Sequence, residues 1–432
     1  MNNINKQKII IAGWHDDSNK GDGAILLALL RLLDAFFPDA EFYIQLSVHH
    51  SDKLYPTMLR HTRTLFDKPI TDLTSFFRVS SDKKLLKLAK FVLYLLRSFV
   101  LLLFPNVAKI LLDSKERQAL ATYFTSTCLV GKGGHYFYGG RKLADLVKVF
   151  IQAFPFLLAR RLKIPYVLVG ISVGPYGSWL ERIIPKLVFT GAAAVSAREI
   201  ESFKEISQIV GPNGRVYLST DTALWLQCKA KNGQDKYVIF CPRVVFPHDK
   251  LNTKYNRYLE MCKWIISELV NTYRRQVVVV LTAVRPFREG RYDTEDDRQF
   301  VTDLQQSGLN MSGINFATQD VGLSDLLNIF ANAEFVIGTR LHSVIFAMLC
   351  GKPFIGISYY GPKMKVVENY GFGEFIVSID QLDRRRLKSL IENIIAYRAD
   401  LARRIEEKAA VAKEIVQTDG ALQVLCDLII KR

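Results

Sequence analysis

The sequence lacks the patterns that mark several large protein classes. No stretch reaches the roughly 18 uncharged apolar residues of a membrane-spanning helix. The start, MNNINKQKIIIAGW, has only a short apolar run and no small-residue cleavage site, so no secretion signal is expected. The six cysteines form no CxxC pair, which favours reduced thiols in the cytoplasm. The histidines show no HExxH or HxxH spacing, so we expect no metal and no other cofactor.

Nucleic-acid-binding signatures are missing as well, although the chain is strongly basic. It carries 58 Lys and Arg against 42 Asp and Glu, a formal charge of +16. Such an excess indicates an anionic partner: a phosphorylated ligand, a membrane leaflet or a nucleic acid. Because helix-turn-helix, RNP and zinc-finger patterns are absent, nucleic acid is not expected to be that partner. With 432 residues, 49% of them hydrophobic, the chain predicts two well-packed domains and excludes intrinsic disorder.

Short apolar strands, turns and amphipathic helices alternate along the whole chain. The alternation runs from KIIIAGW at 8–14 to the strand in AAVSAR, pauses at the GPNG turn at 211–214, and restarts with YVIFCPR. It predicts parallel sheets covered by helices. We therefore expect two Rossmann-like domains facing each other across a cleft, in a GT-B-like α/β fold. The predicted domains are 1–210 and 211–432, the second including C-terminal helices.

One segment departs from this alternation. Residues 82–112 form an unusually hydrophobic helical run with basic residues interspersed, and they predict a helical insertion at about 82–120. The segment is too short and too charged to span a bilayer, but it suits a helix lying in an anionic membrane interface. A pair of helices packed into the core is the alternative. The interfacial alternative places the protein in the cytoplasm, at the inner face of the cell membrane.

The segment 335–363 carries the strongest chemical signal. A strand ends at Gly338, a helix starts at Leu341, and the next strand leads to a loop that holds Lys363. Arg340 and His342 therefore fall at a helix N-terminus on the carboxyl edge of a sheet, where backbone N–H groups favour an anion. An Arg can clamp phosphate or carboxylate, and a His can donate a proton near neutral pH. The structural alternative is that His342 only caps the helix and that Arg340 forms a surface ion pair.

Two further loops predict sugar contacts. The first, at 13–30, matches neither GxGxxG nor a P-loop, and its Asn19, Gly21 and Asp22 predict a tight turn that carries one carboxylate. That carboxylate is a candidate base for a sugar hydroxyl or, alternatively, an ordinary N-cap. The second loop, LVGKGGHYFYGG at 129–140, places Gly134 and His135 beside aromatic rings that can stack on sugars. The alternative is that His135 is an ordinary surface residue with no role in binding.

Three more charged residues follow predicted strands. Arg198 begins a helix after its strand, Arg243 ends the first strand of the second half, and Asp221 lies near the boundary between the halves. An Arg at such a position can hold a phosphate. For each of the three, an ion pair with a structural role is the competing interpretation.

Several of these motifs together resemble the polysaccharide pyruvyl transferase family. They are NKGDGAIL, VGKGGHYF, VLVGISVGPYG, VSARE, STDTAL and GTRLHSVIFAMLCGKPFIGISYYGPK, in the family's order over about residues 9–380. The resemblance implies a GT-B-like fold, phosphoenolpyruvate as the donor, and a hexose of a cell-surface polysaccharide or its lipid-linked precursor as the acceptor. The hydrophobic segment at 82–112 is a departure from the family's core pattern.

The resemblance also implies roles for individual residues. The family's Arg-Leu-His motif falls on Arg340, Leu341 and His342, the basic residue after the next strand on Lys363, and the Arg of Ser-x-Arg-Glu on Arg198.

We expect His342 to be the proton donor, with these cations neutralising phosphoenolpyruvate while a ketal forms and phosphate leaves. Residues expected to support donor binding are Thr339, Leu341, Ser343 and Arg243. Residues expected on the acceptor side are Asn19, Gly21, Asp22, Gly134, His135 and Asp221.

Two other functions compete with pyruvyl transfer. A GT-B glycosyltransferase using a nucleotide sugar would share the fold and the basic donor site. A membrane-associated scaffold of a glycan assembly complex would use 82–112 as its contact and would not need the Arg-Leu-His motif.

Overall fold

The chain folds into two compact α/β units. The computed structural model describes residues 6–13, 15–52, 55–77, 84–139, 143–228, 237–245, 253–285, 296–359 and 363–430. The first unit comprises Met1–Asp17, Ile25–Thr222 and Ile415–Arg432, and the second comprises Ser18–Ala24 and Ala223–Glu414. The predicted class of two parallel-sheet Rossmann-like domains is confirmed.

The first unit is built on a parallel sheet in the order β3-β2-β1-β4-β6-β7-β8, with β5 pairing along β6. Most of its central strands are buried along their whole length, as expected for a parallel sheet covered on both faces. The strands are β1 (Lys8–Ala12), β2 (Glu41–Gln45), β3 (Ile70–Leu73), β4 (Cys128–Gly131), β5 (Gly134–Phe137), β6 (Tyr166–Val173), β7 (Ala194–Ala197) and β8 (Val216–Leu218).

Helices connect these strands, and an aromatic-rich core fills the space between the helices and the sheet. They are α1 (Lys20–Phe36), α2 (Arg60–Leu65), α3 (Lys84–Leu103), α4 (Pro105–Ala108), α5 (Ser114–Thr125), α6 (Leu143–Arg161), α7 (Leu180–Gly191) and α8 (Ile200–Val210). The first turn of α1 groups with the second unit, whereas the rest of that helix belongs to the first.

The second unit has its own parallel sheet, in the order β11-β10-β9-β12-β13-β14. Its strands are β9 (Tyr237–Cys241), β10 (Val277–Val280), β11 (Ile314–Ala317), β12 (Ala333–Gly338), β13 (Phe354–Ser358) and β14 (Ile376–Ser378). Its helices are α9 (Thr253–Ser267), α10 (Arg298–Gln306), α11 (Leu323–Ala331), α12 (Leu341–Leu349), α13 (Lys365–Val367), α14 (Arg384–Ala396) and most of α15 (Arg398–Gln417).

The C-terminal end of the chain does not follow the predicted division at 210/211. Residues 211–222 stay with the first unit, and so does the last helix, α16 (Gly420–Ile430), which packs on β6 and β7. Gly420 lies so close to the Tyr217 ring that a Cβ atom there would come within 2.3 Å of it. The sequence could not reveal this packing because it depends on contact between residues about two hundred positions apart.

The hydrophobic segment predicted at 82–112 is helical where it is described. Residues 82 and 83 lie outside the described residues, and α3, α4 and a short 3₁₀ turn follow from Lys84 to Leu111. Within the described ranges, none of the helices combines the length and apolar content that crossing a bilayer requires.

The cysteines differ in part from the expectation of reduced thiols. Cys228 and Cys350 form a disulfide within the second unit, with their Cα atoms 5.3 Å apart. The expectation is wrong for this pair, because residues 122 positions apart in the sequence meet beside the end of α12. Cys128, Cys241, Cys262 and Cys426 are free thiols.

Candidate functional site

The junction between β12 and α12 forms the centre of the candidate site in the second unit. The strand ends at Gly338, Thr339 and Arg340 make the turn, and α12 begins at Leu341. The Ser343 hydroxyl donates to the Arg340 carbonyl oxygen over 2.5 Å and closes the first turn of the helix. A Cβ atom on Gly338 would lie 2.0 Å from that hydroxyl, so the tight turn requires glycine here.

Three residues predicted to support the donor are buried at this junction. Thr339, Leu341 and Ser343 all have little or no exposed surface. The Thr339 hydroxyl bonds that of Tyr258 at 2.8 Å, and the Ser343 hydroxyl is engaged by the backbone. Their side chains therefore shape the turn, and any contact between α12 and an anion would come from the N–H groups of its first turn.

Arg340 is held by a buried carboxylate that the sequence analysis did not single out. Its Nε donates to Oδ2 of Asp297 over 2.5 Å, and its Nη2 donates to Oδ1 over 2.8 Å. Burial raises the pKa of Asp297, and the charges and hydrogen bonds of Arg340, together with the charge of Arg243, act in the opposite direction. A bidentate pair of this kind fixes the guanidinium plane at the edge of the sheet.

Next to this pair, two cations converge on one oxygen atom. Lys363 Nζ donates to Oη of Tyr359 over 2.6 Å, and Arg243 Nη1 donates to the same oxygen. The Arg243 guanidinium also lies over the Tyr359 ring, 4.3 Å from its centre. We call Arg243, Asp297, Arg340, Tyr359 and Lys363 the cationic cluster; β9, β12 and β13 end beside its basic members.

The electrostatics of the cationic cluster shift two of its pKa values. Burial alone would raise the pKa of the Tyr359 hydroxyl, but the charges of Lys363 and Arg243 outweigh it and lower that pKa from its ordinary value. Burial also lowers the pKa of Lys363, with repulsion from Arg243 and Arg340 adding to the effect and Tyr359 opposing it. The site therefore favours negative charge on an oxygen placed between these cations.

The Asn-x-Gly-Asp turn lies against His342, within the same unit. A Cβ atom on Gly21 would lie 2.0 Å from Nδ1 of His342, so the imidazole occupies the space that a side chain would need. The Asn19 side chain orders the turn by accepting from the Gly21 N–H over 3.2 Å and donating to Asp22 over 3.0 Å. Two motifs more than 300 positions apart in the sequence thus meet.

Backbone contacts attach this turn to the second sheet. Lys20 N donates to the carbonyl oxygen of Thr282 over 2.8 Å, and Val284 N donates to that of Ser18 over 2.8 Å, just beyond β10. The buried Lys20 ammonium forms an ion pair with Asp320. These contacts explain why residues 18–24 group with the second unit, although the prediction placed them in the first.

In the first unit, three other motifs build a buried polar network. Arg198 Nη1 donates to Asp221 over 2.8 Å, and its Nε donates to the Ser172 hydroxyl over 2.5 Å. Ser172 donates in turn to Glu199 over 2.8 Å, and burial raises the pKa of Glu199. The motifs SVGP, SARE and STDT thereby link the ends of β6, β7 and β8. Arg198 and Asp221 thus form the ion pair that the sequence analysis gave as an alternative. The roles of Arg198 in donor binding and of Asp221 in acceptor binding stay predictions.

His135 and Gly134 lie on β5, which pairs with the carboxyl end of β6 and places His135 in register with Ser172. His135 Nε2–H donates to the Gly174 carbonyl oxygen over 2.6 Å, which fixes the tautomer, and its ring lies 4.9 Å from that of Tyr138. Gly134 has a φ of +141°, in the region that favours glycine. The structure makes residues 134–137 a short strand where the sequence predicted a loop, and the predicted sugar contacts stay untested.

The structure also brings together a group of potential metal ligands that the search for ligand spacings in the sequence did not find. Among the residues that the structure describes, His49, His50 and Asp113 place their ligand atoms within 4.8 Å of one another. Asp113 also caps α5 by accepting from the Glu116 N–H over 2.9 Å, and His49 Nε2 lies 3.2 Å from the Asp113 carboxylate. These contacts describe a helix cap with two imidazoles beside it.

Comparisons with known proteins agree with the resemblance drawn from the motifs. The family model described as polysaccharide pyruvyl transferase matches residues 19–361, which include both the Asn-x-Gly-Asp turn and the Arg-Leu-His motif. The amylovoran biosynthesis protein AmsJ of Erwinia amylovora is 21% identical, and the match covers 94% of this chain and 98% of that protein.

Solved structures show the same kind of fold at low identity. The UDP-GlcNAc 2-epimerase of Neisseria meningitidis, bound to UDP-GlcNAc, is 12% identical with a TM-score of 0.53, covering 99% of this chain and 100% of that one. The sucrose-phosphate synthase of Thermosynechococcus elongatus is 13% identical with a TM-score of 0.50, covering 99% and 97%. These neighbours support a GT-B-like architecture and nothing finer. By its family match, the chain is a transferase of polysaccharide biosynthesis and belongs to the polysaccharide pyruvyl transferase family.

Proposed function

We propose that the enzyme transfers a pyruvyl group from phosphoenolpyruvate to a hexose of a cell-surface polysaccharide or of its lipid-linked precursor. The product is a cyclic ketal, and inorganic phosphate is released. The family assignment supports pyruvyl transfer, and the relative named for amylovoran biosynthesis supports a polysaccharide acceptor. The cationic cluster supports an anionic donor.

The convergence of Arg243 and Lys363 on one oxygen of Tyr359 is the observation that carries this proposal. Phosphoenolpyruvate bears a phosphate and a carboxylate on a single enol carbon, so its site needs several cations close together. A donor oxygen replacing the phenol as acceptor would receive two charge-assisted hydrogen bonds. Arg340, held in orientation by Asp297, and the start of α12 supply further positive potential beside them.

His342 is proposed as the general acid. Protonation of the donor's methylene carbon turns it into a methyl group and leaves an oxocarbenium-like centre at the neighbouring carbon. One sugar hydroxyl adds to that centre, the carbon–oxygen bond to phosphate breaks, and a second hydroxyl closes the ketal. Of the two hydroxyl protons, one balances the proton that His342 gave to carbon and the other leaves with phosphate. Positioned acid catalysis of this kind typically contributes about 10²–10⁴-fold in rate.

Asp22 is proposed as the base that receives a hydroxyl proton. Its carboxylate accepts from Asn19 Nδ2 over 3.0 Å, and it lies on the same turn as Gly21, which contacts the His342 ring. The turn that contacts the proposed acid therefore also carries the proposed base. An acid and a base near one another suit a reaction that moves protons from two hydroxyls to carbon and to phosphate.

Calorimetric titration with phosphoenolpyruvate tests the donor assignment without requiring the acceptor. We expect the wild-type protein to bind it and Lys363→Ala to bind it about 10- to 100-fold more weakly, the value of a lost charge-assisted hydrogen bond. Lys388→Ala is the matched control, because Lys388 is a half-exposed lysine of α14 in the same unit. Its affinity should equal that of the wild type.

A panel of nucleotide sugars in the same titration separates the proposal from glycosyl transfer. Binding of a nucleotide sugar in place of phosphoenolpyruvate would contradict pyruvyl transfer. So would a failure to bind phosphoenolpyruvate both alone and in the presence of a glycan acceptor.

A further inference from the structure

The helices α3 and α4 and the 3₁₀ turn at Lys109–Leu111 expose a series of apolar side chains to solvent. Leu93, Leu96, Phe99, Leu103, Val107 and Ile110 follow one another at intervals of three or four residues, and all are exposed. Val107 is 64% exposed and Ile110 is 83% exposed. We call these six residues the apolar stripe. So many exposed large apolar residues in one segment mark an interaction surface.

The opposite face of α3 anchors this segment to the first unit. Leu101 and Ser98 are buried, and Leu101 belongs to the core that fills the unit. Arg97 forms a bidentate pair with the buried Glu116 of α5, with its Nη2 and Nη1 at 2.6 and 3.0 Å from the carboxylate oxygens. Because packing and an ion pair hold the inner face, the apolar stripe faces outward as part of a fixed structure.

A second apolar row lies on α7, where Leu180, Ile183 and Leu187 are exposed at helical intervals. Trp179, which precedes this helix, is 70% exposed. The tryptophan adds an amphipathic ring of the kind that is enriched at membrane–water interfaces.

Two neighbouring arginines at the end of α6 join the two rows. Arg161 Nη2 donates to the Leu103 carbonyl oxygen over 3.0 Å, and Arg160 Nη1 donates to the Leu187 carbonyl oxygen over 2.5 Å. Leu103 belongs to the apolar stripe and Leu187 to the row on α7. The arginines therefore place positive charge between two apolar rows.

The part of the sequence that carries both apolar rows is also strongly basic. From residue 84 to residue 191 there are sixteen Lys and Arg against four Asp and Glu, which supplies twelve of the sixteen excess positive charges of the whole protein. Basic residues near an anionic leaflet contribute roughly 1 kcal/mol each to its attraction. A second copy of the chain would bring two strongly positive surfaces together, which charge repulsion opposes.

We propose that the first unit binds the surface of an anionic membrane, with the apolar stripe and the α7 row inserted at the interface and Arg160 and Arg161 among the headgroups. The surface goes beyond the single segment at 82–112 because it includes α7 and the end of α6. The proposal concerns the lipid surface alone and does not depend on the identity of the donor.

Sedimentation of the full chain with vesicles tests the proposal. We expect binding to vesicles of phosphatidylcholine with about 30% phosphatidylglycerol, little binding to pure phosphatidylcholine, and weaker binding at high salt. Ile110→Ser should lower the partition coefficient about tenfold, because the side chain would no longer be buried in lipid. Ile430→Ser is the matched control: Ile430 is 79% exposed but lies on α16, and its loss should change nothing.

Tryptophan fluorescence gives a second, independent measurement. Vesicles should shift the wild-type emission to shorter wavelength, and Trp179→Phe should abolish most of the shift. Equal binding by Ile110→Ser and the wild type, or equal binding to neutral and anionic vesicles, would overturn the proposal. It would also be overturned if no vesicle bound and Ile110→Ser instead converted a dimer into a monomer in analytical ultracentrifugation, because the surface would then be covered by a second copy.

Discussion

Each unit places a buried arginine–aspartate pair at the carboxyl edge of its sheet, but the surroundings of the two pairs differ. In the first unit, Arg198 meets Asp221 at 2.8 Å and also lies 3.5 Å from Glu199. In the second unit, Arg340 meets Asp297 in a bidentate pair beside two further cations. One arginine is thus set among two carboxylates, whereas the other belongs to a group of three cations.

This difference bears on which of the two pairs lies at the donor site. In both units the arginine lies next to the start of the helix that follows its strand. The cations that converge on Tyr359 favour negative charge on an oxygen, as the lowered pKa of its hydroxyl indicates. Their presence in the second unit is what assigns the donor to that unit in our proposal.

The largest expected effect comes from His342, next to the second pair. His342→Gln should lower kcat by about 10²–10⁴-fold because the general acid is lost, while phosphoenolpyruvate affinity stays near the wild-type value. Turnover is measured as phosphate released from phosphoenolpyruvate in the presence of a glycan acceptor. His61→Gln, on α2 of the first unit, is the control, and a near-normal kcat for His342→Gln would remove His342 from the mechanism.

Gly21→Ala tests the same role without changing the histidine. The added methyl group would lie 2.0 Å from His342 Nδ1 and must displace the ring, so kcat should fall while the donor still binds. At Gly373 the nearest atom to an added methyl would be 3.8 Å away, which makes Gly373→Ala a matched control. A fully active Gly21→Ala would show that the position of the ring is unimportant.

Removing the carboxylate of each pair is the next largest expected effect. Asp297→Ala should lower the free energy of unfolding by about 3–5 kcal/mol, since Arg340 loses its bidentate partner. Asp221→Ala should lower it by less, since Glu199 remains 3.5 Å from Arg198. Urea denaturation measures this loss. The donor affinity should separate the two variants. It should fall more in Asp297→Ala, because Arg340 of the cationic cluster then loses the carboxylate that orients it. An equal loss of donor affinity in both would contradict the contrast between the units.

The smallest expected effect is a pH dependence of donor affinity that belongs to the second unit. The pKa values of Lys363 and Tyr359 are both lowered, so on raising the pH the lysine loses its positive charge early and the phenol becomes negative early. The first change removes an attraction to an anionic donor and the second adds a repulsion, so affinity should fall as the pH rises above neutrality.

Two substitutions identify the groups responsible. Lys363→Arg should keep its charge throughout and retain affinity to higher pH, and Tyr359→Phe should remove the contribution of the phenolate. Calorimetric titration with phosphoenolpyruvate across this pH range measures both. Identical pH profiles for the wild type and the two variants would mean that neither group faces the donor.

Much of the fold could be predicted because strong local patterns coincide with it. Buried strands such as β1, β6 and β13 are nearly continuous apolar runs that end in glycine or polar turns. The edge strand β8 has three residues and is only partly buried, so it carries little periodic signal. The placement of α16 depends on distant contacts that no local pattern reports.

The candidate site was predictable where its chemistry follows directly after a strand. Arg340, His342 and Lys363 could be found in this way. Asp297 could not, since it lies in an acidic run that resembles an ordinary solvated loop and meets Arg340 only in the folded chain. Tyr359 directly follows β13, but a tyrosine after a strand belongs to no recognisable sequence motif. Its role depends on the two cations that contact it in the folded chain.

A crystal structure with bound phosphoenolpyruvate would test the assignment of the donor most directly. We expect its phosphate or carboxylate between Arg243 and Lys363, beside the start of α12, with the methylene carbon toward His342. Density for the donor beside Arg198 at the edge formed by β6, β7 and β8, with none at the cationic cluster, would contradict the assignment.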